Sequence, residues 1–229
     1  MQSLTDKTIV IFGASSGLGK AIAEQLAEYK VTLFLLSRSI ELLDVSFKST
    51  KIACDISDQQ SIEKAFEKID VETDTLDILI NCAGVGLVKN LEDTSSIDIE
   101  KLIAINLTGA IKTSQEAYKR MLKKQSGHII NITSTSATKA RPDETVYCAT
   151  KAGLRYFTES LRLAAAKNGI RVTNIAPGGM DTNFWGKETD RPEATKSFMN
   201  PIDVAQQILS VLATETSISP SEYIIERGV

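Results

Sequence analysis

What this chain has little of narrows its function before any motif is considered. It holds one histidine, His128, in 229 residues. A Ser-His-Asp hydrolase would have to rest on that residue, and no GxSxG elbow is present to carry the nucleophile. The same scarcity excludes a zinc centre built on several histidines, and no metal site is expected. The cysteines Cys54, Cys82 and Cys148 are odd in number, far apart and form no CxxC pair. Neither a disulfide framework nor a thiolate metal site is therefore expected, and a reducing cytoplasm is the default compartment. No apolar run approaches the ~20 residues that span a bilayer. The opening "MQSLTDKTIVIFGASSG" lacks the basic start and long apolar stretch of a secretory leader. Excess charge is missing as well: a formal net charge of -3 leaves no electrostatic footprint for nucleic acid or an anionic membrane.

What is present is a steady alternation. Short apolar runs occur at "TIVIFG" (8–13), "VTLFLLS" (31–37), "KIACD" (51–55), "LDILIN" (76–81), "HIINITS" (128–134), "IRVTNIAP" (170–177) and "EYIIE" (222–226). Most are continuously hydrophobic, as strands buried on both faces of a parallel sheet should be. Helical periodicity fills the intervals at 17–29, 58–69, 96–123, 144–167 and 202–213, with Pro201 placed to open the last helix. The pattern predicts an α/β Rossmann fold over 1–229: a doubly wound, mostly seven-stranded parallel sheet with helices on both faces, in a single domain. The least regular segment, about 178–200, follows a strand's C-terminal end, where such folds place ligands, and reads as a substrate loop or lid.

The first strand runs into "GASSGLGKAIAEQLA". Gly13, Gly17 and Gly19 give GxxxGxG at a strand-to-helix turn, which permits a tight turn and close approach of the backbone and helix N-terminus to a pyrophosphate. The second strand ends "LLSRS", with Ser37 and Arg38 where a free adenosine ribose usually meets a carboxylate. A guanidinium binds a 2'-phosphate in a charge-assisted manner and a carboxylate repels it, so NADP(H) is favoured over NAD(H), with Ser15 or Ser16 as helpers.

Near the middle, "VYCATK" sets Tyr147 and Lys151 one helical turn apart on one face. Upstream, "GHIINITS" is a buried strand ending in the hydroxyls Thr133, Ser134, Thr135 and Ser136. Such a strand end opens onto the cofactor crevice, so phenol, ammonium and hydroxyl converge there. Asn106, in "IAINLTG", lies among Ile103, Ile105 and Leu107 and reads as a buried amide that needs partners.

With these motifs in order, the whole chain resembles the short-chain dehydrogenases/reductases, in their compact single-domain branch. "GASSGLG" is similar to the family's glycine motif, with Phe12 in place of a threonine, and "NCAG" (81–84) to its NNAG turn, with Cys82 in place of the second asparagine. Asp55 in "CDIS" matches the acid that contacts adenine, and "APGGMDT" (176–182) the segment beside the carboxamide. Ser134, thirteen residues before Tyr147, has the spacing of the catalytic serine. The resemblance implies a hydride transfer between a nicotinamide and a carbonyl or secondary alcohol. Tyr147 would be general acid/base, Lys151 would lower its pKa and hold the ribose, and Ser134 would orient the substrate oxygen. Asn106 would hold a water on the way from lysine to solvent, against the alternative of an amide satisfied by nearby backbone. It also implies a cofactor site made of Gly13, Ser15, Ser16, Gly17, Leu18, Gly19, Ser37, Arg38, Asp55, Ile56, Asn81, Ala83, Gly84, Tyr147, Lys151, Pro177, Gly178 and Thr182.

The substrate region is less legible. Phe184 and Trp185 either close over an apolar substrate or anchor the lid, and Asp181 is a further candidate. Lys139 and Arg141 lie between serine and tyrosine, either attracting an anionic substrate or standing as solvated loop charges. The ending "SPSEYIIERGV" lacks the GQ…VDGG of typical 3-oxoacyl-carrier-protein reductases. The long helices at 96–123 and 144–167 resemble those that pair in family dimers, so a homodimer or homotetramer is expected. Two other functions stay open: a non-catalytic NADP-binding sensor or scaffold, which need not keep a proton-transfer group, and an epimerase or dehydratase of the family's longer branch.

Overall fold

The computed structural model describes residues 4–185 and 198–228, the side chain of Trp185 excepted; residues 186–197 of the expected lid lie outside the described residues. Seven strands form one sheet: β1 (Thr8–Phe12), β2 (Thr32–Ser37), β3 (Thr50–Ala53), β4 (Ile78–Asn81), β5 (Gly127–Ile132), β6 (Ile170–Pro177) and β7 (Glu222–Ile225). Their order is β3-β2-β1-β4-β5-β6-β7, and every neighbouring pair is parallel. All seven C-terminal ends therefore lie along one edge. The winding reverses between β1 and β4, and that reversal opens a crevice at this edge.

Alternation along the strands divides the core. Ile9, Ile11, Leu33, Leu35, Ile78, Ile80 and Ile130 pack against α1 (Gly17–Leu26) and α6 (Pro201–Leu212). Val10, Phe12, Phe34, Leu36, Leu79, Ile129 and Val172 pack on the other face, against α2 (Gln59–Glu72), α4 (Ala110–Lys124) and α5 (Thr145–Ala166). Apolar residues at successive strand positions thus serve opposite faces, which is why the runs read as continuous.

Helix boundaries follow their caps. Asp58 accepts from the backbone N–H groups of Gln60 and Ser61 at the start of α2. Ser95 and Asp98 form a reciprocal capping box at the start of α3 (Ser96–Ile103). Asn200 caps α6 with Pro201 at its first turn, as expected. The stretch expected as one helix over 96–123 contains a π-helical segment, Ala104–Gly109, between α3 and α4. A side chain on Gly109 would meet the Ile56 carbonyl oxygen at 2.6 Å, so this turn presses closely on the loop after β3.

Candidate active site

Every loop leaving a strand's C-terminal end from β1 to β6 contributes to one cleft, a cavity of about 580 Å³. At its first end, Gly13 has a φ of +83°, and a Cβ there would collide with the backbone of Ala83. A Cβ on Gly19 would run into the Gly13 carbonyl oxygen. Glycine is required at both, because the β1 turn, α1 and the loop after β4 meet with no space between them. Ser16, in the N-cap position of α1, makes no side-chain cap and no acid lies in the first turn, so the α1 N-terminus stands ready for an anion. Thr182 covers this loop, 3.4 Å from where a Cβ on Gly17 would sit.

Next to it lie the ends of β2 and β3. Arg38 is exposed at the cleft wall, and Ser37 is partly buried with its hydroxyl unpartnered. Burial works against ionising Asp55, yet its carboxyl is held below the usual range. Two hydrogen bonds from Ser57, to Oδ1 at 2.9 and 2.6 Å, and the Arg38 charge prevail. This end of the cleft therefore offers a cation at the end of β2 and no carboxylate there.

At the other end, β5 delivers Ser134 and the first turns of α5 deliver Tyr147 and Lys151, all buried. The Ser134 side chain is hydrogen-bonded to the Tyr147 hydroxyl and accepts the Ser136 N–H at 3.1 Å. Lys151 Nζ donates to the Ile132 carbonyl oxygen at 3.0 Å and lies 5.8 Å from the centroid of the Tyr147 ring. Burial lowers the Lys151 ammonium to about 8, with Cys82 opposing. Phe184 meets the Tyr147 ring edge-on, centroids 5.9 Å apart, and forms an apolar wall over the phenol. Cys82 lines the cleft, and burial pushes its thiol up to about 12.

At three of the expected residues the structure adds partners that spacing did not indicate. Around the Tyr147 phenol, burial works against ionisation and the Ser134 hydrogen bond favours it, while the Lys151 ammonium donates to a backbone carbonyl. Asn81 does not line the cleft. Its amide donates to Ala110 O, Ser114 Oγ and Asn131 Oδ1 and accepts from Thr113, joining β4 to α4 and β5. Asn106 is satisfied by the protein itself: its Oδ1 accepts the Val85 N–H and its Nδ2 donates to the Val85 carbonyl, both at 2.8 Å. The π-helical turn aims this amide at the loop after β4, so Asn106 shapes the cleft wall from behind.

The other expected site residues do meet at the cleft: Gly13, Ser15, Ser16, Gly17, Leu18, Gly19, Ser37, Arg38, Asp55, Ile56, Ala83, Gly84, Pro177, Gly178, Thr182 and Phe184 line it with Ser134, Tyr147 and Lys151. Of the two loop cations, Lys139 pairs with Glu226 at 2.6 Å, whereas Arg141 lines the cleft. Asp181 is exposed and is not part of the lining. Phe198, one of the aromatics of the 178–200 segment, lines the Tyr147 end of the cleft; sequence reasoning missed Glu144, Val85 and Met180, which line it too. Glu144 had one available signal, its place three residues before Tyr147 on the same helical face.

Known proteins resemble this arrangement over nearly its whole length. A family model described as short chain dehydrogenase matches residues 7–193. An uncharacterised oxidoreductase of Staphylococcus aureus is 33% identical over 233 residues, 98% of this chain and 99% of that one. Carbonyl reductase family member 4 of Xenopus laevis is 34% identical over 217 residues, 90% and 91% of the two chains. Among solved structures, ElxO with NADP bound superposes with a TM-score of 0.87 at 26% identity, covering 97% of this chain and 98% of that chain. A 4-hydroxyisoleucine dehydrogenase complexed with NADH gives the same TM-score at 27% identity, with 97% and 98% coverage.

Proposed function

We propose, for a chain that belongs to the short-chain dehydrogenase family, that it is an NADP(H)-dependent carbonyl reductase or alcohol dehydrogenase acting on a small molecule. The observation that carries this reading is the buried Ser134–Tyr147 hydrogen bond beside Lys151, at the end of a cleft whose other end is a glycine turn with a helix N-terminus. The residues fit a nicotinamide dinucleotide: the glycines leave a cradle that any Cβ would fill, and Arg38 suits a 2'-phosphate. Such a cofactor, when bound, supplies or takes up the hydride.

The chain's own groups handle the proton. Burial keeps the Tyr147 phenol protonated at neutral pH, the form that gives a proton to a carbonyl oxygen during reduction. Ser134 hydrogen-bonds the same oxygen as a preorganised partner. Lys151 supplies a positive charge at this end and replaces water there. Phe184, Val85 and Met180 exclude solvent and favour an apolar flank on the substrate. Tyr156 and Leu163, 74% and 63% exposed on α5, support a homodimer or homotetramer. The three free cysteines accord with a reducing cytoplasm.

NADPH oxidation across a panel of aliphatic aldehydes, ketones and α-diketones tests the reading. Active substrates are expected, with Tyr147→Phe reducing kcat by about 10²–10⁴-fold. Undiminished turnover in that variant would refute the mechanism. Tight NADPH binding with no turnover on any carbonyl would favour a sensor.

A further inference from the structure

Among the described residues that line the cleft, Glu144 is a fully buried carboxylate, 4% exposed. It occupies the N-cap position of α5, yet its side chain caps nothing. The carboxylate accepts a hydrogen bond from Ser136 Oγ at 3.2 Å and lies 3.8 Å from Arg141 Nε. Ser136 donates its backbone N–H to Ser134 Oγ, and Ser134 is bonded to the Tyr147 hydroxyl. Two serines therefore connect the carboxylate to the phenol, which stands one turn further along α5. Burying a carboxylate against a single long guanidinium contact is costly, and among the described residues no capping or close ion pair accounts for it.

We infer that Glu144 is a positioning residue that, through Ser136 and Ser134, opposes phenolate formation at Tyr147, with Arg141 as counterweight. The inference rests on the reading of Tyr147 as proton donor. A carboxylate near a phenol makes phenolate more costly to form, and a guanidinium makes it less so. Tyr147 feels both, on top of the larger effect of burial, which every variant keeps. The other titratable groups near the pair are Lys151 and Cys148 on α5 and Cys82 after β4; the loop after β5 adds the hydroxyls of Ser134 and Ser136, while its Lys139 is paired with Glu226. Burial also raises the Glu144 carboxyl. Its charge, and hence its hold on Tyr147, is present above that raised value and fades as pH falls through it.

The two charges predict opposite shifts, which a packing role does not. Phenolate absorbance of the NADP-loaded protein, minus that of Tyr147→Phe, reports the alkaline onset of Tyr147 ionisation. Glu144→Gln is expected to move that onset down by about one unit, and Arg141→Ala to move it up. The pH profile of alcohol oxidation should move in parallel. An unchanged or raised onset in Glu144→Gln overturns the inference, as does a lowered one in Arg141→Ala. Should Glu144→Gln not fold, the exposed Arg141 variant decides alone. Failure of the parent reading looks different: Tyr147→Phe would then stay active, whatever the two charge variants do.

Discussion

His128 is a core residue whose protonation follows from its neighbours. Its Nε2 lies 2.9 Å from Thr173 Oγ1, and that hydroxyl already donates to the Pro220 carbonyl. The ring must therefore donate from Nε2, which leaves Nδ1 bare, and Nδ1 has no partner. Protonation would put an unanswered N–H in the core, so burial, with Arg171 adding repulsion, lowers the imidazole to about 3. The unfolded chain takes up this proton near pH 6.5 and the folded one does not until about 3. Stability is therefore lost as pH falls below about 6.5, at up to ~1.4 kcal/mol per unit. His128→Gln keeps a donor toward Thr173 and removes the titration. Its urea midpoint should fall less steeply than that of the parent between pH 6 and about 4. Equal slopes would mean that other groups carry the acid limb. At the same scale, the Tyr147–Lys151 pair was legible from helical spacing, whereas Ser134 was set apart from its neighbouring hydroxyls by the family resemblance. Protonation was not legible, because burial acts on the phenol and on the ammonium and no spacing records it.

At the scale of elements, the polar strand ends are the informative feature. Asn81 and Asn131 stand opposite each other in β4 and β5, and Asn131 also donates to Thr158 of α5 at 2.9 Å. With Thr113 and Ser114 they tie two strands to two helices directly behind the catalytic end. Buried amides matter in proportion to what their loss leaves unpaired. Asn131→Ala removes an acceptor from Asn81 and Ser114 and a donor from Thr158, although Asn81 keeps Ala110 and Ser114 and Thr158 keeps Leu154. It should cost about 2 kcal/mol, lowering Tm by roughly 4–8 °C. Adding Asn81→Ala should cost less than the two single changes summed, since they share a bond. Strict additivity in that cycle would count against a connected network. The motif resemblance led to Asn81 as a cofactor contact, and in the fold its amide joins β4 to α4 and β5 just before the loop that meets Gly13. The π-helical turn between α3 and α4 was likewise invisible, because its residues keep helical periodicity on either side.

At the scale of the molecule, cleft and fold are one object, and ligand binding should report on global stability. Ligand at 100 times its Kd adds about 2.7 kcal/mol, or roughly 5–10 °C for a chain of this size. NADP is expected to raise Tm by that order in the parent, and NAD by less. In Arg38→Asp the ranking should invert, because a carboxylate at the β2 end repels a 2'-phosphate and accepts from a ribose hydroxyl. An unchanged ranking in thermal-shift measurements would sink the NADP assignment. The change sits on an exposed residue, so the ligand-free Tm should move little.

The sequence alone determined the α/β architecture, the seven strands and the positions of the glycine turn and the Ser134–Tyr147–Lys151 group. Each depends on local periodicity, on glycine where a Cβ has no room, or on residues a fixed number of positions apart. Tertiary structure alone decided which polar groups face the cleft and which face each other. It turned Asn81 and Asn106 to protein partners, sent Lys139 to Glu226 and brought Arg141 and Glu144 to the substrate end. Burial and hydrogen-bond partnership depend on residues far away in the chain, and no spacing encodes them. The same distinction applies to the Tyr147 phenol: its place can be read in six letters, and its proton depends on everything packed around it.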